Sequence, residues 1–248
     1  NMESDAKQTT LIPTNIYADF ITKSLDYIDH YHSQINQIRQ FGLELYSEKF
    51  SVEDYRELIS HYKLDALHEA VGIENQVSSY SLFTSFQSIA AMVIMCFSGM
   101  RINELQNLPI NVYSTTTYNG EKIYLLNGFT SKKTVSGLRW ITSDKISKAI
   151  ECLKVICEIH REFYSLKKFF SGSYGKHKNL KMLELEDYPL FPSFGNTGTP
   201  QPRYGIPVTE VYQGMNNWVE RLLNPINFTK EDLNELYVFN PLEDWESY

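Results

Sequence analysis

The sequence predicts an α+β protein, mainly helical, carrying one three-stranded antiparallel β-meander. Three observations predict it. Apolar residues recur at helical spacing over residues 15–46 and again after Ser143. Residues 81–100 are apolar on nearly every side, the pattern of a helix buried all round. Between these helical stretches, residues 110–142 change to strand-forming Val, Tyr and Thr around an Asn119-Gly120 turn.

Each element has its own local reason. Ile16, Phe20, Ile21, Leu25, Ile28, Ile35 and Ile38 form one stripe, which predicts a long helix over 15–46 that weakens or ends at Phe41-Gly42. Ser51-Val52-Glu53-Asp54 is a capping-box pattern and predicts a helix from Val52 to about Tyr62. Residues 63–80 read as a helix and a loop around Gly72. Ser81 to Met100 is the buried helix, with Gly99 placed to end it. Arg101 to Leu105 then begins a short helix or turn. Val112, Tyr113 and the following threonines favour a strand, and Asn119-Gly120 calls for a type I′ hairpin into Lys122–Leu126. Gly137 to Ile141 completes the meander. Ser143-Asp144 caps a helix to about Phe170, with Ile146, Ala149, Ile150, Leu153, Ile156 and Ile159 inward. Residues 171–208 are loop-rich; Thr209 starts a helix to about Leu223, and Thr229-Lys230-Glu231-Asp232 caps another short one.

Composition narrows the class. A chain of 248 residues with 42% hydrophobic and 21% charged residues can bury a core without staples, which excludes collagen-like and disordered proteins. The longest unbroken apolar run, Ile89 to Phe97, is nine residues, too short to span a membrane. Asn1 to Thr10 is polar and shows no signal-peptide pattern. Cys96, Cys152 and Cys157 have neither metal spacing nor a disulfide framework, which fits a reducing compartment. The net charge of −7 argues against chain-wide affinity for nucleic acid but leaves room for a local basic face. Residues 1–80 carry 13 acids against 6 bases, and residues 219–248 carry seven acids and two bases. The one basic block is residues 160–181: Arg161, Lys167, Lys168, Lys176, Lys178 and Lys181 with His160 and His177, against the single acid Glu162.

Familiar catalytic patterns are missing. Ser171-Gly172-Ser173-Tyr174-Gly175 lacks the order of a phosphate-binding loop. His30 and His32 lie two apart, on different faces of a helix, so no metal site is expected there. The residue that stands out is Arg101. It directly follows the apolar helix, which predicts partial desolvation and a need for partners. Glu104, three residues on, is placed to pair with it structurally.

The word Ser98-Gly99-Met100-Arg101-Ile102-Asn103-Glu104-Leu105, closing an apolar helix, resembles the first catalytic box of the tyrosine recombinases, the phage integrase family. That box is followed in the family by a three-stranded meander with a lysine on the turn between its second and third strands. Here Ser131-Lys132-Lys133-Thr134 lies between Leu126 and Leu138. Leu138-Arg139-Trp140-Ile141-Thr142 matches the third strand and the helix from Ser143 the next element. Leu190-Phe191-Pro192 is similar to a stretch that precedes the family's second box. The resemblance is clear over about residues 81–160.

The resemblance implies double-stranded DNA as partner, self-association on that DNA, no membrane partner and no cofactor. It also implies a cytoplasmic, nucleoid-associated protein of bacterial or phage origin. These enzymes attack a phosphodiester with a tyrosine oxygen, form a 3′-phosphotyrosyl intermediate and release a 5′-hydroxyl, without metal. Arg101 would hold two oxygens of the pentacoordinate phosphorane, a task suited to a guanidinium fork. Lys133 would protonate the leaving oxygen as general acid. Lys132, on the opposite face by strand alternation, would touch DNA instead. Glu104 would orient the arginine and the helix start. Lys167, Lys168, Lys176 and Lys178 would meet phosphates beside the groove.

The rest of the catalytic set is absent. None of the six histidines has Arg three residues later, so the family's His-x-x-Arg box is missing, and none of the 17 tyrosines is marked as the nucleophile. On this reading residues 1–50 are a helical lead-in or the end of a core-binding region, and residues 51–248 an incomplete integrase-like catalytic domain. Three accounts remain. The chain is a recombinase fragment that is inactive alone, a non-catalytic DNA-binding relative, or a helical protein-interaction domain with a chance Arg–Glu motif.

Overall fold

The computed structural model describes residues 12–47, 52–72, 81–128, 137–170, 188–194, 208–224, 227–239 and 241. Helices α1 (Thr14–Ser33) and α2 (Ile35–Ser47) replace the single long helix predicted for 15–46. The break falls at Gln34, not at Phe41-Gly42. Ser33 Oγ donates to the His30 carbonyl at 2.6 Å, the acceptor that the Gln34 N–H would otherwise use, and that N–H turns to Tyr31 O at 3.1 Å. Gly42 stays helical because its missing side chain makes room: a Cβ there would lie 2.7 Å from Ile159. Helices α3 (Val52–His61) and α4 (Asp65–Ala70) follow, and the chain leaves α4 through Gly72 at φ +67°.

Helix α5 (Ser81–Ser98) is the core's centre, with Leu82, Phe83, Phe86 and every residue from Gln87 to Ile94 buried. Gly99 ends it at φ +66°, the left-handed conformation that glycine adopts without a Cβ penalty. Helix α6 (Ile102–Leu105) leads into β1 (Tyr113–Tyr118), β2 (Glu121–Gly128) and β3 (Leu138–Thr142), paired antiparallel in that order. Asn119 and Gly120 both take positive φ, 52° and 84°, as a type I′ turn requires. A 3₁₀ turn over Asp144–Ile146, its Lys145 N–H held by Ser143 Oγ at 3.2 Å, opens into α7 (Ser147–Phe170). Helices α8 (Val208–Leu223) and α9 (Lys230–Phe239) complete the described chain.

Helices α1, α5, α7 and α8 share one continuous core, to which α2 adds Ile38, Phe41 and Leu45. Tyr17 meets Cys96 while Tyr31 stacks on Phe86 at 3.8 Å, so α1 runs antiparallel to α5. By contrast α1–α2 runs parallel to α7. Asp29 pairs with Lys148 at 2.7 Å, His32 with Glu151 at 2.7 Å and Arg39 with Glu158 at 2.8 Å, every pair 119 residues apart. Helix α8 lies so close to α5 that a Cβ on Gly214 would sit 2.1 Å from Ser88 Oγ. Trp218 of α8 donates to Ser24 Oγ of α1 at 2.9 Å, which satisfies the indole N–H inside the core.

Helix α5 is longer and more uniformly apolar than its nine-residue run suggests. Among the described residues it is the one helix that meets the length and composition of a membrane span, yet 67% of it is buried inside this fold. Its apolarity is therefore used against α1, α7 and α8.

Residues 188–194 thread between these elements. Ile110 N–H donates to Tyr188 O at 2.9 Å and Leu190 N–H to Leu108 O at 2.8 Å. Gln87 Nε2 of α5 donates to Pro192 O at 2.9 Å, and Phe194 stacks on Phe83. The Leu190-Phe191-Pro192 stretch is thus interior, tied to the strand-like segment that follows α6.

Candidate functional site

Arg101 is exposed, which corrects the expectation of a partly desolvated arginine. The cause is local. The left-handed Gly99 turns the chain out of α5, Met100 keeps the contact with the core at 4% exposure, and Arg101 follows in extended conformation at φ −82°, ψ 151°. The guanidinium is thereby offered to solvent at the head of α6. Glu104 does not pair with that guanidinium. Its carboxylate accepts the backbone N–H of Arg101 at 2.8 Å, half of a capping box that stabilises the start of α6. The support that Glu104 lends is to the helix start.

Lys132 and Lys133 lie outside the described residues. The register nevertheless bounds them: Gly128 pairs with Leu138, so both lysines belong to the connection between β2 and β3. The same end of the sheet meets the chain just after α6. A Cβ on Gly128 would stand 2.9 Å from Leu108 and 3.0 Å from Trp140, so glycine is what allows this close approach. Leu108, seven residues after Arg101, therefore packs beside the strand ends that flank that connection.

The basic block is less uniform than its composition. Lys176 and Lys178 lie outside the described residues, as do the side chains of Lys167 and Lys168 in the last turns of α7. His160 is not part of a basic surface: it is 2% exposed. Its Nε2 lies 2.8 Å from Ser193 O, an atom that only accepts, so Nε2 carries the proton. Its Nδ1, 2.7 Å from Tyr188 Oη, then accepts the phenol hydrogen in the neutral ring. Cys157 lies one turn earlier and donates to Pro189 O and Leu190 O at 3.2 and 3.3 Å. This pair locks α7 to residues 188–194, and nothing in a single histidine or cysteine could have announced it.

The tyrosines divide by burial. Tyr27, Tyr31 and Tyr55 are buried, and burial pushes their phenols well above the ordinary range, the opposite of an activated nucleophile. Tyr17 is pushed up to about 12, first by burial and then by its hydrogen bond with Cys96. Tyr118 is 66% exposed but sits beside the β1–β2 turn, at the far end of the sheet from the lysine-bearing connection. Tyr248 lies outside the described residues. Burial likewise raises the thiols of Cys152 and Cys157, which leaves them inert. Among the described residues no three His, Cys, Asp or Glu side chains cluster as metal ligands.

One arrangement had no sequence signal. Helix α9 reaches back to the first turn of α1, where the Glu235 carboxylate takes the Thr14 N–H at 2.9 Å and the Thr14 hydroxyl at 2.6 Å. A carboxylate at a helix N-terminus is well placed against the helix dipole. Because Tyr17 of α1 meets Cys96 in the last turn of α5, α9 stands at the Arg101 end of the helical bundle. Comparison with protein-family models, curated proteins and solved structures finds no match to this chain.

Proposed function

We propose that this chain is a DNA-binding domain of the tyrosine-recombinase type, part of a site-specific recombinase or integrase, which grips duplex DNA but does not cut it alone. The observation that carries the reading is an ordered set of parts. A buried helix ends at a left-handed glycine, an exposed arginine heads the next short helix, and a meander with two lysines in its second connection follows. Each part suits phosphoryl transfer. Arg101 is free to form a bidentate contact with a phosphate, and Lys133 lies within the connection from which a general acid would reach the leaving oxygen. Removing one preorganised donor of this kind typically costs about 2.7–4 kcal/mol, so a site with one arginine and no histidine is far below full activity.

The non-catalytic relative is favoured by a separate observation. The arginine of α8, Arg221, is engaged by the Glu69 carbonyl at the end of α4, and α9 carries Glu231, Asp232 and Glu235 against one lysine. Among the described residues, α8 and α9 thus supply no second phosphate-binding pair.

The test is fluorescence anisotropy of a labelled 30-base-pair duplex of arbitrary sequence over a salt series. Steep salt dependence is expected, and Arg101→Ala together with Lys132→Ala/Lys133→Ala should weaken binding about tenfold or more on any sequence. A nicked duplex should yield no covalent adduct with this chain. Absence of salt-dependent binding would leave the helical interaction domain as the better reading.

A further inference from the structure

We infer that the free edge of β1 pairs with β1 of a second copy of this chain, antiparallel about a twofold axis at Thr115, so that two three-stranded meanders join into one continuous sheet. The inference goes beyond the reading proposed above and holds without DNA. It starts from the order of the sheet. Strand β2 is central, so β1 and β3 each leave one edge without a strand. The two edges differ. Strand β3 lies against α5 and carries Arg139 at an exposed position, a charge of the kind that keeps an edge from adding strands. Strand β1, Tyr-Ser-Thr-Thr-Thr-Tyr, has no charge, no proline and no glycine. Its register with β2 runs unbroken from Tyr113 opposite Leu126 to Tyr118 opposite Glu121, so no bulge turns it away. Thr115, Thr116, Thr117 and Tyr118 are all exposed.

The turn decides which backbone groups this edge offers. A two-residue loop closes on a hydrogen-bonded pair, here Tyr118 and Glu121, and such pairs recur at every second residue. Val112 keeps that phase, its carbonyl accepting the Asn127 N–H at 2.8 Å. Ser114, Thr116 and Tyr118 therefore bond to β2, while the N–H and C=O groups of Tyr113, Thr115 and Thr117 point away from the sheet. Those outward groups have no backbone partner among the described residues.

The same phase selects the register of the second copy. Antiparallel pairing of the outward groups sets Thr115 against the partner's Thr115 and Tyr113 against the partner's Thr117, with about six backbone hydrogen bonds in all. Opposed residues then lie on the same face, so each face of the sheet stays continuous across the seam. The rows that cross it are neutral. Tyr124 and Thr115 meet the partner's Thr115 and Tyr124, and Ile123 and Thr116 meet the partner's Ser114 and Leu125. Any extended segment could use the backbone groups, but the strand's own copy adds matched threonines. It also opposes no like charges, which matters between two chains of net charge −7.

Sedimentation equilibrium of the full chain without DNA, up to about 1 mM, tests the inference. A seam one strand long stands at the small end of specific interfaces, so a reversible dimer with a Kd of about 10–500 μM is expected. Thr115→Lys and Thr115→Glu each set a charge against its own copy across the axis and should be monomeric, while an equimolar mixture of the two should dimerise again. Thr115→Pro, which deletes an outward N–H and no bond to β2, should be monomeric as well. Thermal melts confirm that the variants fold. The control is Ile141→Lys, at a position 70% exposed on β3, which should dimerise within twofold of the parent. A parent that stays monomeric, a dimer that survives the Thr115 variants, or a mixture that stays monomeric would each overturn the pairing. Because no DNA is present, these outcomes are independent of duplex binding.

Discussion

Asp232 shows how one side chain secures the start of α9. Its carboxylate takes both the N–H and the hydroxyl of Thr229, and Thr229 Oγ in turn accepts the Asp232 N–H at 3.1 Å, a reciprocal cap. The Thr229 hydrogen bonds hold the carboxyl below its ordinary range. A lowered value means that the folded state prefers the ionised form. The stabilisation is therefore complete above the unfolded carboxylate value of about 3.9 and disappears as pH falls through the lower folded value. The protection of α9 amides, taken relative to their intrinsic exchange rates, is expected to be constant from neutral pH to about 4.5 and to fall at more acid pH. Thr229→Ala should weaken α9 by about 1 kcal/mol, and Asp232→Asn should remove the acid dependence. Opening of α9 that tracks pH equally in Asp232→Asn would show that another group is responsible. Arg101 teaches the complementary lesson. Its sequence neighbours are apolar, yet one glycine in the left-handed region reverses the chain and puts the guanidinium in water.

At the scale of elements, two glycines with different reasons make opposite predictions. Gly99 needs its φ of +66°, but a Cβ added there would meet nothing within 4 Å, so Gly99→Ala costs backbone strain alone, about 1 kcal/mol. Gly214 sits inside a helix, where alanine is intrinsically better by about 1 kcal/mol, but its Cβ would strike Ser88. Gly214→Ala should therefore destabilise by several kcal/mol in the manner of an overpacked core, and Ser88→Gly should restore much of the loss. Denaturant midpoints of the two single variants and the double variant decide it; additive losses would mean that α8 does not pack on α5 through this pair. The caps at Ser143 and Thr229, the helix-ending Gly99 and the Asn119-Gly120 turn were legible in the sequence, because each works over a few residues, while Ser51 of the Ser51–Asp54 pattern lies outside the described residues. The break at Gln34 was not. It arises from a competition between the Ser33 hydroxyl and the backbone for one carbonyl, which periodicity does not register.

For the whole molecule, the parallel pairing of α1–α2 with α7 joins the start of the chain to its middle. The two ion pairs and the His32–Glu151 hydrogen bond along it have side chains between 29% and 59% exposed, so each contributes about 0–1 kcal/mol. Replacing Asp29, Arg39 and Glu151 by Gln or Asn should lower stability by no more than about 2 kcal/mol, with most of the effect lost in about 0.5 M salt. A larger loss that is itself abolished by salt would place the helices' orientation in the charges and not in Tyr31, Ile38, Phe41 and Ile159 beneath them. The fold class, the order of elements and most of their ends, the break at Gln34 excepted, could be read from the chain, as could the strand connection that contains Lys132 and Lys133. These depend on caps, turns and hydrophobic period, which act between near neighbours. Tertiary structure alone decided that Arg101 is exposed, that Glu104 holds a backbone N–H, that His160 is an interior strut bound to Tyr188 and Ser193, and that α9 docks on Thr14. Each of those outcomes joins residues far apart in the chain, or follows from which face the packing covers, and spacing along a sequence carries neither.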